Sequence, residues 1–364
     1  MKIDFVNLQL QYQKYKKIIN KNIKKVLKNS NYILGEEVYN LEKKLEKFTG
    51  AKHAITCSSG TDALLLAILA IDIKPGDEII TTPFTWISNA EMMVLIKAKP
   101  VFVDIEPDTF NINSNLIEAA ITKKTKAIMP VSLFGQPADM SKIKSIAKKY
   151  KLKIIIDGAQ SFGSKYKNKT DSNIGDISIT SFFPSKPLGC YGDGGAVFTN
   201  NDAYARKIKM LRVHGQYKKY HHKYIGIGGR LDTIQAAILL SKLPYFSKEL
   251  AYRNRVAKFY TDQLQKVLSI PVVKNDRSSS WAQYTIRVDK RDLVKKKLKN
   301  KRIPTAIYYP IPLHLQECLR HLNLKKGMFP ESEKASNEVL SLPINAFISY
   351  EEQKYIVKNL KDFV

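Results

Sequence analysis

Between residues 51 and 160 short apolar runs alternate with helix-patterned segments, and this alternation constrains the chain more than any other feature. HAITC (53–57), DEIITTP (77–83), the start of KPVFVDIEPDTFNI (99–112), TKAIMPVSLFG (125–135) and LKIIIDGAQ (152–160) read as strands. ALLLAILA (63–70), SNAEMMVLIKA (88–98), a segment near 114–122 and MSKIKSIAKKY (140–150) read as the helices between them. Strands joined by helical crossovers lie parallel. The pattern therefore predicts an α/β fold with a mainly parallel central sheet flanked by helices. Ligands in such sheets gather at the carboxyl ends of the strands. Ser58, Gly60, Thr61, Thr85, Trp86, Asp157 and Gln160 all fall there.

The rest of the chain divides around this block. Two amphipathic helices are expected at 16–28 and 36–49, and further helices at 202–215 and over LDTIQAAILL (231–240). From about 246 the composition changes. A charged helix (247–268), a strand in WAQYTIRV (281–288), a helix (290–301) and the segment PTAIYYPIPLHLQ (304–316) suggest a small α+β domain. The expected division is a large domain over 1–245, including the N-terminal helices, and a small one over 246–364.

Bulk properties narrow the function. No apolar run is long enough to span a bilayer, and the N-terminus lacks the layout of a signal peptide. Cys57, Cys190 and Cys318 have neither metal-ligand nor disulfide spacing. The His221–His222 pair has no third ligand at metal spacing, so no metal site is expected. These features point to a cytoplasmic protein. The formal charge of +27 raises the question of a nucleic-acid partner. The lysines are spread along the chain, however, and segments such as 16–29 and 294–302 read as solvated helix faces. A general lysine bias, together with attraction of small anionic substrates, is the reading favoured over nucleic-acid binding.

One loop stands apart. Within GDISITSFFPSKPLGCYGDGGAVFTN (175–200), two strand-like runs flank a turn-rich stretch with Lys186 at its centre. Pro184 and Pro187 stiffen it, and Pro187 biases Lys186 away from helix. Gly189, Gly192, Gly194 and Gly195 open backbone angles closed to other residues. A lysine held this way is suited to attacking a carbonyl; read alone, it is equally a solvated surface lysine. Other residues carry similar double readings. SSGTDA before a helix can point backbone N–H groups at a phosphate or be a plain connection. Asp157 can be a strand-end turn residue, Trp86 a half-buried core residue, and Arg230 either an anion clamp or half of a surface ion pair.

Taken together, SSGTDAL, PFTWIS, IIDGAQSFGS, SFFPSKPLGCYGDGGA and GGRLDTIQAAIL resemble the DegT–StrS sugar aminotransferases, fold-type I enzymes that use pyridoxal 5'-phosphate. The likeness runs from FVNLQLQY to YYPIPLH and SLPI. It implies that Lys186 is the Schiff-base lysine and that Asp157 partners the pyridine nitrogen. It places Gln160 near the phenolic oxygen, Ser181, Gly60 and Thr61 at the phosphate, and Trp86 on the ring face. Arg230, Tyr308 and Tyr309 fall in segments that line the sugar-nucleotide pocket, with Arg230 expected from the neighbouring subunit of a homodimer. Gly228 replaces an asparagine that relatives use across that interface, and Tyr308 stands where histidine occurs in relatives.

The loop variant resembles members that aminate C3 of a keto-sugar. The implied substrate is UDP-2-acetamido-2-deoxy-3-oxo-glucuronate, with L-glutamate as donor and 2-oxoglutarate as product, in surface polysaccharide (O-antigen) synthesis. Another nucleotide-linked 3-keto or 4-keto hexose is the nearest alternative, and a nucleic-acid-binding regulatory role a remote one. A pyridoxamine-dependent dehydratase would carry histidine in place of Lys186.

Overall fold

The structure is a computed structural model that describes residues 3–364. Seven strands form the central sheet: β1 (His53–Cys57), β2 (Glu78–Thr81), β3 (Lys99–Phe102), β4 (Thr125–Ile128), β5 (Lys153–Asp157), β6 (Ile177–Ser181) and β7 (Gly195–Thr199), in the order β1-β7-β6-β5-β4-β2-β3. The pairs β2–β3, β2–β4, β4–β5 and β5–β6 are parallel, as the alternation predicts. β7 is antiparallel to both β6 and β1. Residues 182–194 contain no crossover helix, so the chain turns back and can only lay β7 against β6 in reverse.

The helices are α1 (Leu8–Asn29), α2 (Glu36–Thr49), α3 (Gly60–Ala70), α4 (Ser88–Leu95), α5 (Met140–Tyr150), α6 (Asp202–Leu211), α7 (Thr233–Leu264), α8 (Arg291–Asn300), α9 (Pro330–Glu338) and α10 (Tyr350–Lys361). Side chains alternate across a strand, and β5 shows the result. Ile155 joins the layer that contains α3 and α6, while Ile154 and Ile156 join the layer that contains α5. Helices therefore cover both faces, and the β5 backbone is closed to water. None of the described helices is long and apolar enough to cross a membrane.

Several boundaries differ from the sequence reading. α1 begins at Leu8 rather than 16, because the Asn7 side chain accepts from Leu10 N (3.0 Å) and caps the helix early. The segment near 114–122 holds only a 3-10 turn, Glu118–Ala120. α6 stops at Leu211, where the chain leaves the helix and Val213 bridges to Gly228. The segments read at 231–240 and 247–268 are parts of one helix, α7, which runs through Pro244 without ending. Its first half packs with α2 residues in one core that includes Leu239 and Phe246. Its second half supplies Val256, Ala257, Tyr260 and Leu264 to a separate core, built on β8 (Tyr284–Arg287), its antiparallel partner β9 (Val339–Leu342) and α10, and joined by Ile3.

Candidate active site

Strand register assembles the site. Gly195, the first residue of β7, pairs with Cys57 at the end of β1 and with Ser181 at the end of β6. The exits of β1 and β6 therefore flank one residue that has no side chain. A Cβ on Gly195 would lie 2.3 Å from the Ser59 carbonyl oxygen, so only glycine lets the Ser58–Gly60 turn pass this closely. Ser59 caps α3 by accepting from Asp62 N (3.0 Å). Gly60 and Thr61 open that helix, whose free N–H groups and positive dipole end suit an anion. Ser181 lies directly against this turn, since a Cβ on Gly60 would come within 2.7 Å of Ser181 Cβ. Gly60→Ala therefore pushes the helix end and Ser181 apart. It is expected to weaken cofactor retention at least about tenfold, at an overpacking cost of about 1–3 kcal/mol. Fluorescence titration of the stripped protein with cofactor measures this.

The next strand exit carries the charge. Asp157 ends β5 and is buried. Its Oδ2 accepts from Asn89 Nδ2 (2.6 Å) and its Oδ1 from Ala159 N (2.9 Å), so both carboxylate oxygens are fixed in direction. Lys186 is half-buried. Burial lowers its pKa, and the Asp157 carboxylate opposes that shift. A lysine so placed has a larger share of free amine than one in water, while the carboxylate keeps an electrostatic hold on its protonated form.

Aromatic groups close the remaining side. Gln160 Oε1 accepts from Phe134 N (2.7 Å) and its Nε2 donates to the Tyr309 hydroxyl (3.1 Å). Burial, reinforced by the Asp157 charge, raises the Tyr309 pKa, so the phenol keeps its proton. Trp86 lies with its ring centroid 6.2 Å from that of Tyr309. It is 57% exposed, which leaves much of the indole open next to Tyr309. A purely structural tryptophan would cover more of that ring.

The fold thus gathers Gly60, Thr61, Ser181, Asp157, Gln160, Lys186, Trp86 and Tyr309 at one end of the sheet, with Tyr308 beside Tyr309 at a centroid distance of 5.8 Å. Arg230 is half-buried. Its neighbour Gly229 accepts from Ser58 N at 3.1 Å, which ties the 228–230 stretch to the edge of the phosphate-type turn of the same chain. Asn89 was missed from sequence. Its only sequence signal was its place three residues after Trp86 at the start of α4, and its role depends on β5 lying beside β4 and β2.

Residues 13–361 match the DegT/DnrJ/EryC1/StrS aminotransferase family. The chain belongs to that family. It is 47% identical over 97% of its length, and 98% of the relative's, to a Pseudomonas aeruginosa protein named UDP-2-acetamido-2-deoxy-3-oxo-D-glucuronate aminotransferase. It is 43% identical over 100% of its length, and 99% of the relative's, to a Geobacillus stearothermophilus protein named pleiotropic regulatory protein. Among solved structures, NtdA of Bacillus subtilis with bound cofactor PMP superposes with a TM-score of 0.93 at 30% identity, covering 100% of this chain and 85% of that one.

An aminotransferase of this family works with pyridoxal phosphate, and the residues present fit it. There is an amine for the aldehyde, an oriented carboxylate for the pyridine nitrogen, a helix N-terminus with a serine hydroxyl for the phosphate, and an open indole for the ring. Thr85 Oγ1 and Asn89 Oδ1 are buried and have no partner among the described residues, as is expected of a pocket lined for a polar ligand.

Proposed function

We propose that this sugar aminotransferase moves the amino group of L-glutamate to C3 of UDP-2-acetamido-2-deoxy-3-oxo-glucuronate, releasing 2-oxoglutarate, in the synthesis of a bacterial surface polysaccharide such as an O-antigen. The observation that carries this reading is the 47% identity, over nearly all of both chains, to a relative named for that substrate. A doubly anionic diphosphate with a uronate carboxylate also suits a chain with a formal charge of +27. We place the enzyme in the cytoplasm as a homodimer, with Arg230 of each chain serving its partner's sugar pocket.

Pyridoxal phosphate, when bound, supplies the aldehyde that takes up an amino group and the ring that accepts electrons. The chain's own groups do the rest. Lys186 Nζ, with its lowered pKa, accepts the proton from the donor's α-carbon and later returns one to the sugar carbon. Asp157, fixed by Asn89 and Ala159, would keep a proton on the ring nitrogen by its charge. Gln160, held between Phe134 N and Tyr309, would stand near the ring's oxygen substituent. Gly60, Thr61 and Ser181 would hold the phosphate, and Trp86 would cover the ring face. Tyr308 and Tyr309 line the sugar side.

The test is a half-reaction. The enzyme is treated with glutamate, freed of donor, and given 3-keto and 4-keto nucleotide sugars with and without a C6 carboxylate, while the cofactor absorbance is followed. Rapid recovery with the UDP-3-keto-uronate alone is the expected result. Recovery only with a 4-keto sugar would move the amination to C4. A second reading, a regulatory role, has one observation in its favour, the name of the Geobacillus relative. Salt-sensitive DNA binding by a colourless protein would favour it.

A further inference from the structure

A second carboxyl group lies behind Asp157, and the mechanism above makes no use of it. Asp171 is 1% exposed. Its Oδ2 accepts from the Ser161 hydroxyl, on the turn that follows Asp157. Its backbone N donates to Ser164 O (3.0 Å) and its carbonyl accepts from Ser178 Oγ (3.2 Å) on β6. Gly158 packs tightly on β6, since a Cβ there would lie 2.8 Å from the Ile179 carbonyl oxygen, and it would be in ordinary contact with Asp171 Oδ2 at 3.5 Å. The carboxyl therefore sits against the peptide that leaves Asp157.

Its surroundings do not suit a permanent negative charge. Among the described residues the charged group acting on it is Asp157, of the same sign. The other groups facing it are the hydroxyls of Ser161 and, from beyond β4, Ser132. Asp171 Oδ1, Ser132 Oγ and Ser164 Oγ are all buried and have no hydrogen-bond partner among the described residues. Ser132 is also tied to the site directly, because its backbone N donates to Asp157 O (2.9 Å). An isolated buried carboxylate next to another is costly, and the ordinary relief is to keep a proton. The Ser161 and Ser132 hydroxyls favour the ionised form, but burial outweighs them.

We infer that Asp171 is a second, titratable carboxyl mounted behind Asp157, a positioning residue that holds the strand-end turn and changes the charge felt at Asp157 by gaining or losing one proton. The consequence for the cofactor rests on Asp157 being the partner of the ring nitrogen. Burial, with a smaller contribution from Asp157, raises the pKa of Asp171 from 3.8 to about 6. Below that value one negative charge stands behind the ring; above it there are two, and the second favours a protonated ring nitrogen. For stability the sign is opposite. A carboxyl whose folded pKa is raised loses stability as pH rises from the unfolded value through the folded one.

Three readouts on the holoenzyme test this, comparing it with Asp171→Asn. Infrared spectra at about pH 5 should show an un-ionised carboxylic acid band that fades by about pH 7.5 and is missing from the variant. The variant's melting temperature should gain on the wild type by a few degrees across the same window. The visible absorbance of the bound cofactor should shift with a midpoint near pH 6 in the wild type only. Absence of the acid band, with parallel melting curves, overturns the inference; the wild-type band alone decides if the variant fails to fold. Failure of the Asp157 reading is separable. Asp157→Asn would then keep the cofactor colour and turnover, while the Asp171 acid band persisted.

Discussion

Lys186→Ala is expected to fold and melt like the parent and to lose turnover by at least about 10³-fold, within the range that a positioned general acid–base group supplies. It should also lose the cofactor's wild-type visible band. The loop's shape does not depend on the amine. Lys186 N donates to Phe183 O (2.9 Å), Phe182 N to Gly194 O (2.7 Å) and Cys190 N to Phe182 O (2.8 Å), all through the backbone. Gly189 packs so tightly that a Cβ there would lie 2.5 Å from Pro184 O. Removing Nζ also removes a buried amine whose charged form is disfavoured, so stability should not fall. Circular dichroism with a single-turnover assay separates the two outcomes. Full turnover by the variant would remove Lys186 from the mechanism.

Arg212→Met is expected to be the most damaging change away from the catalytic groups. Arg212 Nη1 reaches Glu42 Oε1 (2.5 Å) and Thr56 O (2.7 Å), and the two side chains are only 5% and 7% exposed. The same Glu42 oxygen accepts from Thr56 N (2.9 Å) and Thr56 Oγ1 (3.0 Å). Losing the guanidinium leaves a carboxylate buried without its cation, which costs about 3–5 kcal/mol. A lower midpoint in urea should show it, and Glu42→Leu combined with Arg212→Met should recover part of the loss, because a buried pair replaced whole is tolerated better than one broken. Cofactor affinity should fall as well, since Glu42 and Arg212 grip β1 two residues before the Ser58–Gly60 turn. Unchanged affinity in a folded variant would mean that the turn is held without β1.

Much of the site could be read from residue type and order. Lys186 sits between two prolines in a glycine-rich loop, Asp157 and Gln160 close a strand of isoleucines, and Gly60 stands between a strand and a helix. Each is a local pattern with a local physical cause. The limits of the reading were also physical. Pro244 reads as a helix breaker, yet α7 continues because packing in two cores outweighs one missing N–H. The early start of α1 turned on a single capping bond from Asn7. Arg230 could be singled out but not aimed, because its direction depends on the neighbours of the 228–230 stretch.

The sequence by itself determined the alternation of strands and helices, the chemical kinds of group at the strand ends, and through their combination the family. These follow from periodicity and backbone freedom, which act over a few residues. Only the tertiary structure decided that β7 runs against its neighbours, that Gly195 lies between the ends of β1 and β6, that Asn89 holds Asp157 from 68 residues away, and that Asp171 stands behind it. Such contacts come from sheet order and register. Those are set by how the whole core packs, and no short stretch of chain carries that information.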